Sequence, residues 1–362
     1  MKLLNYTKMM VLGVGILVVL PAQAQVPEAA VEPAMAKLEA DGPKLEQIQM
    51  QQHTWVARNF RFHTDELLPE LKLFYTTIGN PEGIPVLILH GTNGSGQALA
   101  KGPFGKSLFG PGDPLDARYY YSILPDGLGT GGSSKPSDGL ADHFPAYNYS
   151  DMVEAQYRLL TQGLKLNHVR LVMGFSMGGM HTWMWASQHP DFMDAIVPMA
   201  ALPMPMSGRN WMLRRMLVEA IRKNPDNLGW ASAFYALASN GGNQGLQYLA
   251  PNTATADALV SQRLKTPVKA DANDTLYQWN ASRDFNPDLS TIRAQILVIN
   301  SADDERNPPE LKAVEAARRR LPQLRSLLIP ASSETKGHST VGDSRWWRSD
   351  LAEFIKDLPA SR

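Results

Sequence analysis

The chain has 362 residues, of which 44% are hydrophobic and 19% charged, with 35 basic and 35 acidic side chains. That balance excludes an electrostatic binder of nucleic acid, which carries a basic excess, and intrinsic disorder, which needs low hydrophobicity and high net charge. There is no cysteine, so disulfides, thiolate metal sites and a thiol nucleophile are excluded as well.

The N-terminus reads as an address. Lys2 and Lys8 flank the start of a twelve-residue apolar run, 9–20, and Pro21 leads into Ala22-Gln23-Ala24, a small-x-small pattern. This is the layout of a secretory signal peptide cleaved after Ala24. A run of that length is too short to span about 30 Å of hydrocarbon as a helix. The expectation is an exported protein, secreted or periplasmic, with no stable membrane insertion once residues 1–24 are removed. Residues 25–50 are rich in Ala, Pro, Glu and Gln and read as a linker.

Apolar runs then recur along the chain. Strands are predicted at 54–62, 71–78, 84–90, 119–125, 169–175, 195–200, 294–300 and 325–331, and helices at 149–163, 180–188 and 309–320. Unbroken apolar runs such as Ile84-Pro85-Val86-Leu87-Ile88-Leu89 suit strands buried on both faces of a sheet. Strands alternating with helices imply a mostly parallel eight-stranded α/β sheet with helices on both faces, the first two strands forming a hairpin. Residues 204–285 break the rhythm, with no buried strand. Within them 211–223 is amphipathic: Met212, Leu213, Met216, Leu217, Ala220 and Ile221 are apolar, while Arg214, Arg215 and Arg222 are predicted to form a solvated basic face. The stretch reads as a helical cap at 204–285, inserted between a first core segment, 51–203, and a second, 286–362.

The chemistry centres on Gly174-Phe175-Ser176-Met177-Gly178-Gly179, a G-x-S-x-G motif between an apolar run and a helical pattern. That context marks a nucleophile elbow, in which a serine sits on a tight turn with small neighbours and the helix start offers its N–H groups to an oxyanion. A serine hydroxyl needs a base, and the base an orienting acid. In this arrangement the chain order is Ser, acid, His. The acid should follow a late strand, and 294–300 leads into Ser301-Ala302-Asp303-Asp304-Glu305-Arg306-Asn307-Pro308. Spacing favours Asp304, with Asp303 and Glu305 as alternatives. The base is His338 in Gly337-His338, the one histidine beyond Asp304. The oxyanion donors are expected at the Met177 N–H and at the Thr92 N–H in His90-Gly91-Thr92-Asn93-Gly94-Ser95-Gly96. Gly127-Leu128-Gly129-Thr130-Gly131-Gly132 formally matches a dinucleotide fingerprint, but Pro136 opposes the helix that such a site needs. It reads as a loop bordering the site. No metal-ligand cluster is present, and no cofactor is implied.

These motifs resemble the α/β-hydrolase superfamily and, within it, the homoserine O-acetyltransferase-like branch. The resemblance covers about 59–352. It is carried by Leu87-Ile88-Leu89-His90-Gly91, Phe109-Gly110-Pro111-Gly112 with Leu115-Asp116, the elbow through Met180, Ala220-Ile221-Arg222-Lys223-Asn224-Pro225, the Ser301–Pro308 segment and Gly337-His338. It implies Ser176 as nucleophile, Asp304 as acid and His338 as base. The chain departs from that branch where members carry an Asp after the histidine to hold a substrate amine, because Ser339 stands here. The Gly-Leu-Ala-x-Ala-Arg-like cap segment, whose Arg pairs a substrate carboxylate, is absent, with Asn243-Gln244-Gly245-Leu246-Gln247 its nearest remnant. Export would also separate the chain from acetyl-CoA. The expected activity is therefore serine hydrolysis of a small-molecule carboxylic ester or related acyl compound, with O-acyl transfer through the same triad as the alternative.

Overall fold

The computed structural model describes residues 50–360. The signal peptide expected at 1–24 and nearly all of the 25–50 linker lie outside the described residues. The chain enters through an antiparallel hairpin, β1 (Gln51–Arg61) and β2 (Leu67–Gly79). There follow β3 (Ile84–Leu89), a short helix α1 (Gly96–Lys101) and β4 (Tyr120–Pro125). Next come α2 (Tyr149–Arg158), β5 (Val169–Phe175), α3 (Met177–Gln188) and β6 (Met193–Met199). Five helices intervene before the next strand: α4 (Gly208–Lys223), α5 (Leu228–Ser239), α6 (Asn243–Leu249), α7 (Thr253–Lys265) and α8 (Ala272–Asn280). The chain closes through β7 (Gln295–Ser301), α9 (Ala313–Arg318), β8 (Leu324–Ile329) and α10 (Arg348–Lys356).

The eight strands form one sheet in the order β1-β2-β4-β3-β5-β6-β7-β8. β1 with β2 and β2 with β4 are antiparallel, and the other pairs are parallel. Successive strand side chains point to opposite faces, and both faces are covered. In β3, Leu87 and Leu89 enter the core shared with Trp183 and Trp185 of α3, while Val86 and Ile88 enter the core shared with Leu351 and Phe354 of α10. Full burial of such a side chain stabilises the fold by about 1.5–3 kcal/mol, which explains why the central strands read as unbroken apolar runs. The parallel arrangement also brings the C-terminal ends of β3, β5, β7 and β8 to one edge of the sheet, where an open α/β sheet presents its ligands.

Several elements differ from the sequence expectations. α3 begins at Met177 rather than at 180. Gly178 and Gly179 lie inside the helix because the turn packs too tightly for side chains: a Cβ on Gly178 would sit 2.1 Å from the Leu89 carbonyl oxygen. The helix expected at 149–163 is α-helical only to Arg158 and continues as one π turn, Leu159–Gly163. The helix expected at 309–320 is divided. A 3₁₀ turn, Pro309–Leu311, is followed by left-handed Lys312 (φ 51°), and only then does α9 start. Pro308 and Pro309 cannot donate backbone hydrogen bonds, which favours a separate turn there.

The largest correction concerns α4. Its side chains at Met212 and Met216 are 66% and 61% exposed, whereas Arg214, assigned to the solvated face, is 1% exposed. The helix is rotated relative to the expectation. It packs through Leu217, Val218 and Ile221 into a small core with Leu228, Ala231, Tyr235 and Trp279. Arg214 joins that side because its guanidinium stacks on the Trp279 ring, 4.9 Å from the centroid, and its Nε donates to Asn210 Oδ1 at 2.8 Å.

Candidate active site

Ser176 occupies the turn between β5 and α3 with φ 57° and ψ −113°. A non-glycine residue with positive φ of this kind is strained, and the packing around it must hold it there. The Ser176 N–H donates to the Met199 carbonyl, and its carbonyl accepts from the Met180 N–H, both at 2.9 Å. A Cβ on Gly174 would come within 2.5 Å of Gly178 backbone atoms. The two glycines of the motif are thus the positions where strand and helix touch.

The sequence-predicted site residues converge. His338 Nε2 lies 2.8 Å from Ser176 Oγ. Its Nδ1 lies 2.9 and 3.0 Å from the two carboxylate oxygens of Asp304. All three side chains are buried. The carboxylate fixes the proton on Nδ1, which leaves Nε2 as an acceptor facing the serine hydroxyl. This row can carry a proton from Ser176 to His338 while Asp304 balances the imidazolium.

The acid is held from several sides. Asp304 accepts the Arg306 N–H at 2.8 Å, the Asn307 N–H at 3.1 Å and the Asn307 side-chain amide at 2.9 Å. Burial works against its charge, but the contact with His338 and these hydrogen bonds hold its carboxyl below the usual range. Burial pushes the His338 imidazole below its ordinary value, and the Arg306 and Arg214 charges act in the same direction against the pull of Asp304. The alternatives to Asp304 are occupied elsewhere. Asp303 accepts the Ser301 and Thr335 hydroxyls, and Glu305 accepts the Gly242 and His338 N–H groups.

The residues expected to supply the oxyanion donors lie beside Ser176. Met177 is the first residue of α3, where helix N–H groups have no intrahelical partner. Thr92 lines a cavity of about 250 Å³ together with His90, Phe175, Ser176, Trp279, Arg306 and His338. The loop bearing Thr92 is pinned from two directions. The neighbouring Asn93 N–H donates to Gln278 Oε1 of α8. His90 Nδ1 donates to the Gly91 carbonyl at 2.7 Å, and its Nε2 accepts the Gly127 N–H at 2.8 Å. That second bond gives the Gly127–Gly132 segment its role. Asp126 accepts the Gly96 and Gly132 N–H groups, so the glycines wrap a carboxylate of the chain itself.

A family model described as alpha/beta hydrolase fold matches residues 84–334. The chain belongs to the alpha/beta hydrolase fold family. A probable acyltransferase of Methanothermobacter thermautotrophicus is 27% identical to it over 317 residues, 82% of this chain and 95% of that protein. A homoserine O-acetyltransferase of Haloarcula marismortui is 33% identical over 160 residues, so this match spans only 40% of that relative's length. Among solved structures, the homoserine O-acetyltransferase from Bacillus anthracis superposes with a TM-score of 0.73 at 19% identity, covering 87% of this chain and all of that one. An acetylester hydrolase from Corynebacterium glutamicum superposes at 0.71 and 18% identity, covering 85% and 96%. At these identities the superpositions show the fold.

Sequence reasoning missed several residues that this alpha/beta hydrolase gathers around the serine. Asn307 clamps Asp304 to the backbone by also donating to the Ala200 carbonyl at 2.9 Å. Arg306 lines the cavity; its guanidinium lies 4.7 Å from the Tyr235 ring centroid and 5.9 Å from that of Trp279, and its Nε donates to Ser239. Arg214 lies over the same Trp279 ring, with its buried Nη1 unpartnered among the described residues. Neither guanidinium is ion-paired with a carboxylate among the described residues. Arg306 was visible in the Ser301–Pro308 segment, but its direction depends on α5 and α8, which are distant in sequence.

Proposed function

We propose that this chain is a serine hydrolase that cleaves a carboxylic ester or related acyl compound through an acyl-enzyme on Ser176. The observation that carries the reading is the unbroken row from Ser176 Oγ through His338 to Asp304, with contacts of 2.8 and 2.9 Å. Ser176 attacks the acyl carbonyl as His338 Nε2 takes its proton. The Met177 and Thr92 N–H groups hold the oxyanion, each such donor being worth on the order of 10²–10³ in rate. His338 then protonates the leaving alcohol, and water attacks the acyl-enzyme with His338 again as base. O-Acyl transfer is the second reading, favoured by the names of the curated relatives, and it differs only in an alcohol replacing that water. Incubation with short-chain esters, with and without added alcohols including homoserine, separates the two. Free acid in the presence of excess alcohol supports hydrolysis, and acylated alcohol as the main product supports transfer.

Arg306 narrows the substrate. Arg306 is partly buried and makes no ion pair among the described residues, so an anionic group entering the cavity it lines would meet its charge. The reading is an acyl compound carrying a carboxylate. Arg306→Met is expected to raise KM for a carboxylate-bearing ester about 10–100-fold, the equivalent of one charge-assisted contact, while KM for its neutral analogue stays unchanged. The same substitution removes a charge that lowers the His338 pKa. The acid limb of kcat/KM, which requires neutral His338, should therefore move to higher pH. An equal KM change for both esters, with an unmoved acid limb, would remove Arg306 from the site.

A further inference from the structure

The cap helices meet the core at the loop that carries His338, and the contact is specific. At the α5–α6 junction, the Gly241 N–H donates to the Lys336 carbonyl at 3.1 Å, and Asn240 Oδ1 accepts the Ser339 N–H at 2.9 Å. Between these bonds lies one carboxylate. Glu305 Oε1 accepts the Gly242 N–H of the cap at 2.7 Å, and Glu305 Oε2 accepts the N–H of His338 itself at 3.2 Å. The histidine and both its flanks are thus tied to one three-residue segment of the cap, directly or through Glu305. No side chain can intervene. Gly242 and Gly337 both have positive φ, 67° and 54°. A Cβ on Gly337 would lie 2.2 Å from Glu305 Oε2 and 2.6 Å from the Gly242 nitrogen, and one on Gly242 would lie 2.2 Å from Asp303 Oδ2.

Glu305 is not needed to orient the imidazole ring, which Asp304 does at Nδ1. It holds the backbone from which the ring projects, and its other carboxylate oxygen is held by the cap. We propose that Glu305 is a positioning residue that makes the alignment of His338 with Ser176 conditional on the seated cap. This rests on the reading of Ser176, His338 and Asp304 as a catalytic triad. The cap also holds the other side of the site, because Gln278 of α8 takes the Asn93 N–H beside Thr92. A cap displaced to admit substrate would free the Glu305 carboxylate and both flanks of His338, and its return would restore the base as the acyl group arrives.

The test compares wild type, Glu305→Ala, Glu305→Gln and Asn240→Ala for the rate of Ser176 labelling by a fluorophosphonate, for kcat and KM on a short-chain ester, and for thermal midpoint. Displacing a reacting group by about 1 Å reduces rate by on the order of 10²-fold. Glu305→Ala should therefore lower kcat and the labelling rate about 10–100-fold with KM unchanged. Glu305→Gln should recover part of the loss, because its amide oxygen still accepts one N–H. Asn240→Ala, a cap residue outside the row of Ser176, His338 and Asp304, should shift kcat in the same direction by less. Wild-type labelling rates in Glu305→Ala and Asn240→Ala would overturn the proposal, as would a change confined to KM. If Glu305→Ala fails to fold, Glu305→Gln and Asn240→Ala decide the question by the same criteria. Absence of labelling in wild type would overturn the triad reading itself, and the coupling with it.

Discussion

Ser176→Ala is expected to abolish covalent labelling by a fluorophosphonate and to lower ester turnover by at least on the order of 10³-fold, because members of a triad act as a unit. The substitution removes one oxygen from a buried position and leaves the strained backbone in place. Folding should therefore survive, and the thermal midpoint should stay close to that of wild type. The comparison is His338→Ala, which leaves the hydroxyl but removes the only base within hydrogen-bond reach of it among the described residues. The two single variants and the double variant should show similar residual rates, since either deletion already prevents proton transfer. Ester turnover in Ser176→Ala at the wild-type rate would show that the cleft acts without an acyl-enzyme, and the hydrolase mechanism would have to be abandoned.

What the sequence made legible was local. The elbow could be read because Gly174, Ser176 and Gly178 are required by one turn within five residues. The strands of the central sheet could be read because burial on both faces leaves an unbroken apolar run. His338 followed from chain order, being the one histidine beyond the acid loop. Properties that depend on distant partners were not legible. Spacing could favour Asp304 but could not separate it from its neighbours. The separation comes from Ser301 and Thr335 taking up Asp303, and from Gly242 taking up Glu305. Periodicity placed Arg214 with the polar residues of α4, because a helical pattern assumes that charge seeks water. A guanidinium that stacks on Trp279, sixty-five positions further along the chain, breaks that assumption, since an aromatic face attracts a cation. Met212 and Met216 came out on the exposed side for the same reason. The left-handed Lys312 after Pro308-Pro309 is a boundary error of the ordinary kind, in which a helical pattern runs across a turn.

The acid loop offers the second large effect. Asp304→Asn is expected to reduce kcat on the order of 10⁴-fold while leaving the fold intact. The asparagine keeps an oxygen for the Arg306 and Asn307 N–H groups and loses the bond from the Asn307 side-chain amide, so the loop keeps its backbone anchors at a modest cost in stability. Its amide nitrogen, however, is a donor where the carboxylate was an acceptor. Turned toward His338, it donates to Nδ1, and the ring proton moves to Nε2. That nitrogen then faces the Ser176 hydroxyl as a donor and cannot accept its proton. The negative charge that stabilised the imidazolium is lost as well, so the His338 pKa should fall further. Asp303→Asn makes the control. Asp303 bonds the Ser301 and Thr335 hydroxyls and has no contact with the imidazole, and an asparagine oxygen can replace one of those acceptors. Its effect should be a modest loss of stability with kcat close to wild type. Kinetics of the two purified variants on one ester, with thermal midpoints alongside, distinguish the roles. A large loss in Asp303→Asn beside near-normal turnover in Asp304→Asn would reverse the assignment of the acid.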